Sequence, residues 1–279
     1  MLNQSFIFAR GMTEELERAL WAHGLTTWDL LRRHPAEAAE VLGAGRAQKL
    51  NEAVGEAQQA LDRRDLAWFR ANWPERELWR LWKGFCSDSQ VALIDIETTG
   101  LTPGYDQITV IGLSDGTIAR AFVAGRPQPG DDQLEKFIEH IRSYHLIATF
   151  NGAAFDVPFI EKHFREAGFK FEMPHIDLLP PARALGLGGG LKDMEKQLGI
   201  VRDADIKDIR GHEAILLWGA WKNGDANAYR RLTTYCKADC VNLRAFGETI
   251  WRRQWDKIFT PHAREVDFDR INGQQMSLF

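Results

Sequence analysis

Cysteine is scarce in this chain: Cys86, Cys236 and Cys240 are all it has. An odd count with no CxxC pair argues against a disulfide framework, and it leaves no four-thiolate metal site within the chain. Cys236 and Cys240, four apart on an expected helix, read as packed thiols rather than ligands. No apolar run approaches the about 18 residues that a membrane span needs, so no membrane partner is expected. The opening MLNQSFIFARG lacks the basic start and long apolar core of a secretory leader, which makes the cytoplasm the expected location. Positive charge is not in excess: 35 Lys and Arg stand against 39 Asp and Glu, a net charge of −4. That argues against a basic face coating a duplex. It leaves room for a nuclease, in which bound cations offset a carboxylate cluster. Solenoid-length repeats and low-complexity tracts are also missing. What the chain does have is an ordinary globular balance, 44% apolar and 27% charged, enough to bury a core without staples.

Residues 1–65 read as a small all-helical module. Thr13 to Trp21 carries apolar residues at helical spacing and stops at Gly24, and Thr27 to Arg33 ends before Pro35. Val41-Leu42-Gly43-Ala44-Gly45-Arg46 then leads into a helix from Ala47 to about Leu61. This turn resembles a helix-hairpin-helix element, whose backbone N–H groups meet a nucleic-acid phosphate. It reads equally as a glycine turn between two core helices. Residues 66–89 form a connector rich in tryptophan, with Trp68, Trp73, Trp79 and Trp82. Stacking on bases is one use of such rings; packing through their large apolar area is the commoner one.

The pattern changes at residue 90, and 90–258 reads as an α/β domain. Val91 to Ile96 is a buried strand, Ile108 to Leu113 a second, and Ile118 to Ala124 a third, with Asp115-Gly116 as the hairpin turn. Asp132 to Tyr144 carries Leu134, Phe137, Ile138 and Ile141 on one helical face. Leu146 to Phe150 and His175 to Leu179 complete a mixed five-stranded sheet flanked by helices. Residues 259–279 are a tail.

Three short pieces carry the chemistry. Asp95 and Glu97, two apart at the end of an apolar strand, point to the same face. There they repel each other and lose hydration, a cost that a hard divalent cation removes. Asp156 follows the fourth strand in Asn151-Gly152-Ala153-Ala154-Phe155-Asp156, where helix capping is also a sound reading. Tyr235 and Asp239, four apart, share a face of the C-terminal helix. Taken singly, each piece has a plain structural explanation.

Taken together and in this order, Asp-x-Glu, Asn-x-x-x-Phe-Asp and Tyr-x-x-x-Asp resemble the DEDD exonuclease superfamily, in its DEDDy branch. The resemblance runs from Val91 to Phe246. The Trp79-Arg80-Leu81-Trp82 stretch before Asp-x-Glu is similar to a group within it that places a helical module ahead of the nuclease. The resemblance implies a ribonuclease H-like fold and 3′→5′ hydrolysis that releases nucleoside monophosphates. It implies two divalent cations, Mg²⁺ or Mn²⁺, held about 3.5–4 Å apart by Asp95, Glu97, Asp156 and Asp239. Tyr235 would orient the attacking water, since a free phenol with a pKa of about 10 is a poor base at neutral pH. Thr98, Asn151, Phe155 and Lys192, the last opening a helix after Gly188-Gly189-Gly190, are the expected substrate contacts. For Lys192, a surface position in a first helical turn serves as well. Asp177 reads as a sheet-end residue or a neighbour of the site, and His212 as a helix start.

Single-stranded DNA is the expected substrate. RNA trimming, or a silent nucleic-acid-binding adaptor, are the alternatives. The terminal Gln275-Met276-Ser277-Leu278-Phe279 resembles the bacterial sliding-clamp-binding peptide. It has Met276 for the usual leucine, a close match in volume, with Gln275 orienting and Leu278 and Phe279 as anchors. Its alternatives are a tail folded on its own core, or chance.

Overall fold

In the computed structural model, which describes residues 2–202, 206, 209 and 211–265, Thr13 opens helix α1 (Glu14–Ala22) and Thr27 opens α2 (Trp28–Arg33) in the same way. Each side chain accepts a hydrogen bond from the amide three residues on, Leu16 or Leu30, satisfying a donor that the helix start leaves unpaired. Pro35 does not merely end the second piece; it begins a further helix, α3 (Pro35–Leu42), in the first turn where its missing N–H costs nothing. Gly43, at φ 79°, adopts the left-handed conformation that favours glycine and turns the chain into α4 (Ala44–Arg63). Asp65 caps α5 (Leu66–Asn72), and a 3₁₀ stretch covers Glu75–Trp82. The peptide Gln275, Met276, Leu278 and Phe279 lies outside the described residues.

Among the described residues, 2–85 together with 252–265 form one compact unit, and those of Cys86–Trp251 form a second. The tryptophan-rich stretch therefore falls within the first unit. Its rings pack there: Trp73, Trp79 and Trp82 are buried, and Trp68 and Trp73 lie against Phe8. Between the tryptophans, Arg80 is 1% exposed. Its Nη1 donates to Glu17 Oε2 at 2.7 Å and to Ser5 Oγ at 2.9 Å, and its Nε donates to Glu77 Oε2 at 2.8 Å. Glu17 Oε1 accepts from Ser5 Oγ and from the Phe6 and Ile7 amides. Burial opposes the Arg80 charge, but Glu17 and Glu77 more than offset it and push its pKa up. Arg80→Ala would leave two buried carboxylates without their cation, a loss expected to cost about 3–5 kcal/mol. Urea unfolding measures it, and an unchanged midpoint would show that the pair contributes nothing.

The second unit is built on a sheet of order β4-β3-β2-β1-β5-β6. β1 (Val91–Thr98), β2 (Ile108–Ser114) and β3 (Ala119–Val123) form an antiparallel meander. Asp115 Oδ1 accepts from the Thr117 and Ile118 amides, and Gly116 supplies the positive φ of the turn. β4 (Asp132–Gln133) runs parallel to β3 and raises the strand count to six from the five expected. Apolar spacing over 132–144 predicts one helix. Its first two residues instead pair with the open edge of β3, and a 3₁₀ turn then leads into α6 (Phe137–Ile141). Leu134, Phe137 and Ile141 are still buried, because apolar spacing reports a face and not the hydrogen-bond partners of the backbone.

β5 (Leu146–Thr149) runs parallel to β1 and is followed by α7 (Asp156–His163). β6 (His175–Asp177) runs parallel to β5 and gives way to α8 (Leu179–Ala184). α9 (Leu191–Leu198), α10 (Gly211–Lys222) and α11 (Ala226–Ile258) follow. Tyr229, Leu232, Tyr235 and Cys236 of α11 pack against Val110, Ala121 and Val123. The result is the mixed α/β sheet flanked by helices that the sequence implies. Among the described residues no helix is long and apolar enough to cross a membrane.

Candidate active site

Asp95 sits opposite Gly112 and Glu97 opposite Val110 on the β1–β2 ladder, both on one face of β1. Gly112 decides what covers that face. A Cβ there would lie 2.6 Å from Cys240 Sγ and 2.9 Å from the Cys236 carbonyl, so only glycine lets α11 approach this closely. Cys236 and Cys240 are buried, unbridged thiols at this crossing, and Cys236 Sγ lies 3.5 Å from the Asp95 carbonyl. Tyr235 and Asp239, one helical turn apart on α11, are carried to the β1 carboxylates by the same close approach.

β5 delivers the fourth acid. The turn after it is tight: a Cβ on Gly152 would meet Thr149 Oγ1 at 2.1 Å, and Asn151 holds φ 62°. Asp177 braces this turn by accepting from the Asn151, Ala153 and Leu179 amides at 2.8, 3.1 and 3.0 Å. It is thus a loop organiser beside the site. Phe155 occupies the cap position of α7, and Asp156 follows it with its side chain buried. The Asp156 carboxyl is not the helix cap.

These placements put four carboxyls in mutual electrostatic reach. Burial first, then the charges of Asp239, Glu97 and Asp156, drive the Asp95 pKa well above the ordinary carboxylate range. Glu97 rises through burial and Asp239, with Lys192 opposing. Asp156 is pushed up to about 7, chiefly by burial and against hydrogen bonds from its own amide and that of Ile96. Asp239 also rises through burial, although Arg202, Tyr235 and Lys192 pull it down. The Tyr235 hydroxyl donates to Asp239, and burial together with the Asp239, Glu97 and Asp95 charges raises its pKa. It therefore stays a neutral phenol at physiological pH.

Such a cluster calls for positive charge that the side chains supply only in part. Ligand atoms of Asp95, Glu97 and Cys236 all lie within 4.8 Å of one another. The Cys236 thiol is held protonated, mainly by burial, so the usable donors are hard carboxylate oxygens. That donor set fits Mg²⁺ or Mn²⁺ better than a thiophilic metal.

Lys192 reaches this group. Its Nζ stands 4.3 Å from the centre of the Tyr235 ring, and its charge acts on both Glu97 and Asp239. Thr98 is buried beside Glu97, and its hydroxyl donates to the Gly100 carbonyl. Asn151 and Phe155 lie on the loop that carries Asp156, with the Phe155 ring 4.8 Å from that of Phe159. His212 is exposed in the first turn of α10.

Arg202 and Glu195 are absent from any sequence motif. The Arg202 guanidinium pairs with Asp239 and, through two nitrogens, with Glu195, including Nη2 to Oε1 at 2.8 Å. Glu195 is 1% exposed on α9. A charged residue at a buried helical position was the available signal for it; Arg202, in a loop 37 residues before Asp239, gave none.

The RNase_H superfamily profile matches residues 92–251. The PolC-type DNA polymerase III of Clostridium perfringens is 33% identical over 125 residues, which are 35% of this chain and 8% of that protein. The chain therefore spans a small part of that relative's length. A solved family B DNA polymerase from the hyperthermophilic archaeon Pyrobaculum calidifontis aligns with a TM-score of 0.45 and 16% identity, over 57% of this chain and 24% of that one. The profile match covers more than half of the chain and takes in the whole β1–α7–α11 carboxyl cluster, so the chain belongs to the RNase_H superfamily.

Proposed function

We propose that the chain is a divalent-metal-dependent 3′→5′ exonuclease of the DEDDy type, acting on single-stranded DNA and releasing nucleoside monophosphates. The observation that carries this reading is the convergence of Asp95, Glu97, Asp156 and Asp239 from β1, α7 and α11, where the charges of the other three raise the pKa of Asp95 and burial raises all four. These four would hold two cations. When bound, such cations supply the Lewis-acid charge that phosphodiester hydrolysis needs.

The chain's own groups do the rest. Tyr235, a neutral phenol hydrogen-bonded to Asp239, orients a water molecule and does not deprotonate it. Lys192 brings a positive charge toward the scissile phosphate. Arg202 fixes the Asp239 carboxylate, and Glu195 fixes Arg202. Thr98, Asn151 and Phe155 border the place of the terminal nucleotide. DNA is favoured over RNA because the PolC-type relative is a DNA polymerase and because the terminal peptide resembles a clamp ligand. A complete carboxylate set with its tyrosine tells against a silent adaptor.

The test offers 5′-labelled single-stranded DNA, duplex DNA and RNA to the purified protein with Mg²⁺, Mn²⁺ or EDTA. The expected result is a ladder shortening from the 3′ end, on single-stranded DNA, lost in EDTA. Cutting within a circular strand, or activity in EDTA, would overturn the reading; preference for RNA would reassign the substrate.

The ion pairs around Asp239 and the terminal peptide can each be tested separately. Arg202→Ala should lower kcat/KM or metal affinity by about 10–100-fold. Arg202→Lys should recover little, because lysine lacks the planar fork that spans Asp239 and Glu195. Equal rescue by lysine would reduce Arg202 to a simple charge. Removal of residues 275–279 should abolish binding to the sliding clamp of the host while leaving cleavage of short oligonucleotides intact. Equal clamp binding by both forms, or none by the full chain, would remove the peptide from the proposal.

A further inference from the structure

Beside the carboxyl cluster, on the same helix, lies a cleft of about 500 Å³ lined by Ile206, Asn227, Arg230, Arg231 and Thr234. Positions 227, 230, 231 and 234 follow the i, i+3, i+4, i+7 spacing of a single stripe along α11. At 1.5 Å of rise per residue the stripe runs for about 10 Å. Arg231 stands one turn before Tyr235 and two turns before Asp239, so the cleft begins where the candidate active site ends.

Its chemistry differs from its surroundings. The candidate active site is a cluster of carboxyls in a chain of net charge −4, whereas the described residues lining this cleft include two arginines and no acid. Arg230 and Arg231 are exposed. Arg230 Nη2 donates to Asn227 Oδ1 at 2.6 Å, so the guanidinium lies along the stripe. Thr234 and Asn227 add uncharged hydrogen-bonding groups. Ile206, 2% exposed, is apolar, and no aromatic ring is among the described lining residues.

We propose that this cleft binds backbone phosphates of the single strand, one or more nucleotides upstream of the 3′ end held at the carboxyl cluster. Guanidinium forks match phosphate oxygens in pairs. Base recognition would instead need an aromatic platform for stacking. The inference rests on the exonuclease reading for its direction along the strand, although binding itself can be measured without cleavage. With α11 supplying Tyr235 and Asp239 to the reaction and Arg230 and Arg231 to the strand, one rigid helix sets the register between bound backbone and scissile bond.

The experiment uses the full chain, with fluorescence anisotropy in EDTA and steady-state cleavage in Mg²⁺ or Mn²⁺, on a dinucleotide, a tetranucleotide and a decanucleotide of DNA. The Arg230→Ala/Arg231→Ala variant should bind the decanucleotide roughly tenfold more weakly. Its salt dependence should be shallower by about 0.7 in log–log slope for each phosphate that is no longer neutralised. The difference from the parent should grow with substrate length and appear mainly in KM. Alanine is favoured within a helix, so thermal melting should show the fold intact. A control variant, Arg142→Ala/Arg165→Ala, removes the same charge from two exposed positions elsewhere in the unit and should match the parent. The proposal is overturned if the cleft variant binds every length as the parent does, if its loss is the same for the dinucleotide, or if the control loses as much. A parent that binds but cleaves nothing would overturn the exonuclease reading while leaving the cleft to stand or fall on the anisotropy.

Discussion

Replacing Asp95 by asparagine is expected to remove strand cleavage and, in the same protein, to raise its melting temperature when no metal is present. The first effect follows from the proposed role as a ligand. Bound cations contribute several kcal/mol of transition-state stabilisation, so losing one ligand should cost a thousandfold or more, roughly. The second follows from electrostatics. Burial and three neighbouring carboxyls raise the Asp95 pKa far above its unfolded value. A group raised in this way contributes its full stability below the unfolded pKa, and that contribution is lost as pH rises through the folded value.

The metal-free parent should therefore be most stable in mild acid. It should weaken as pH climbs from about 4, where free carboxyls ionise, through about 7, the folded value of Asp156. Asparagine keeps the shape and carries no charge, so it removes a repulsive partner without opening a cavity. Melting curves in EDTA across this range, with and without the substitution, measure the stability; a gel assay measures the activity. Parental cleavage by Asp95→Asn would end the ligand assignment. A variant that melts below the parent at neutral pH would mean that the cluster is not repulsive.

Much of this site is readable in the sequence because its parts are local. An apolar run from Val91 to Ile96 ending in two carboxylates gives both the strand and the face. The Tyr235–Asp239 spacing gives a helical face, and Asp115-Gly116 gives the hairpin. What escapes is whatever depends on a partner far along the chain. Arg202 matters through Asp239 and Glu195, and no spacing rule joins a loop arginine to an acid on another element. Gly112 reads as one more small residue in a strand, until the helix that crosses it is in place. β4 escapes because its two residues gain their structure from the open edge of β3 and not from their own pattern. Pro35 misleads for a different reason. Proline ends one helix and fits the first turn of the next, and composition alone does not say which.

Tyr235→Phe is expected to lower kcat by about 10²–10⁴-fold, the usual contribution of a water-positioning or acid–base group, with KM nearly unchanged. The substitution is clean for a structural reason. Lys192 Nζ lies over the ring at 4.3 Å, and phenylalanine keeps a ring face for the cation, so only the hydroxyl is removed. That hydroxyl is buried, donates to Asp239 and has its pKa raised by burial and by the neighbouring carboxyls. A phenolate base is thereby excluded at neutral pH, which leaves the hydroxyl the proposed role of holding water in line with the phosphorus. The two roles differ in their pH dependence. A phenolate base would make the parental rate climb with pH through the alkaline range, and the variant would lose that limb. A positioning hydroxyl lowers the whole profile without changing its shape. Parallel pH–rate profiles of parent and Tyr235→Phe, offset by the predicted factor, are therefore the expected outcome. Unchanged turnover would remove Tyr235 from the mechanism. A rise in KM at constant kcat would move it to substrate binding.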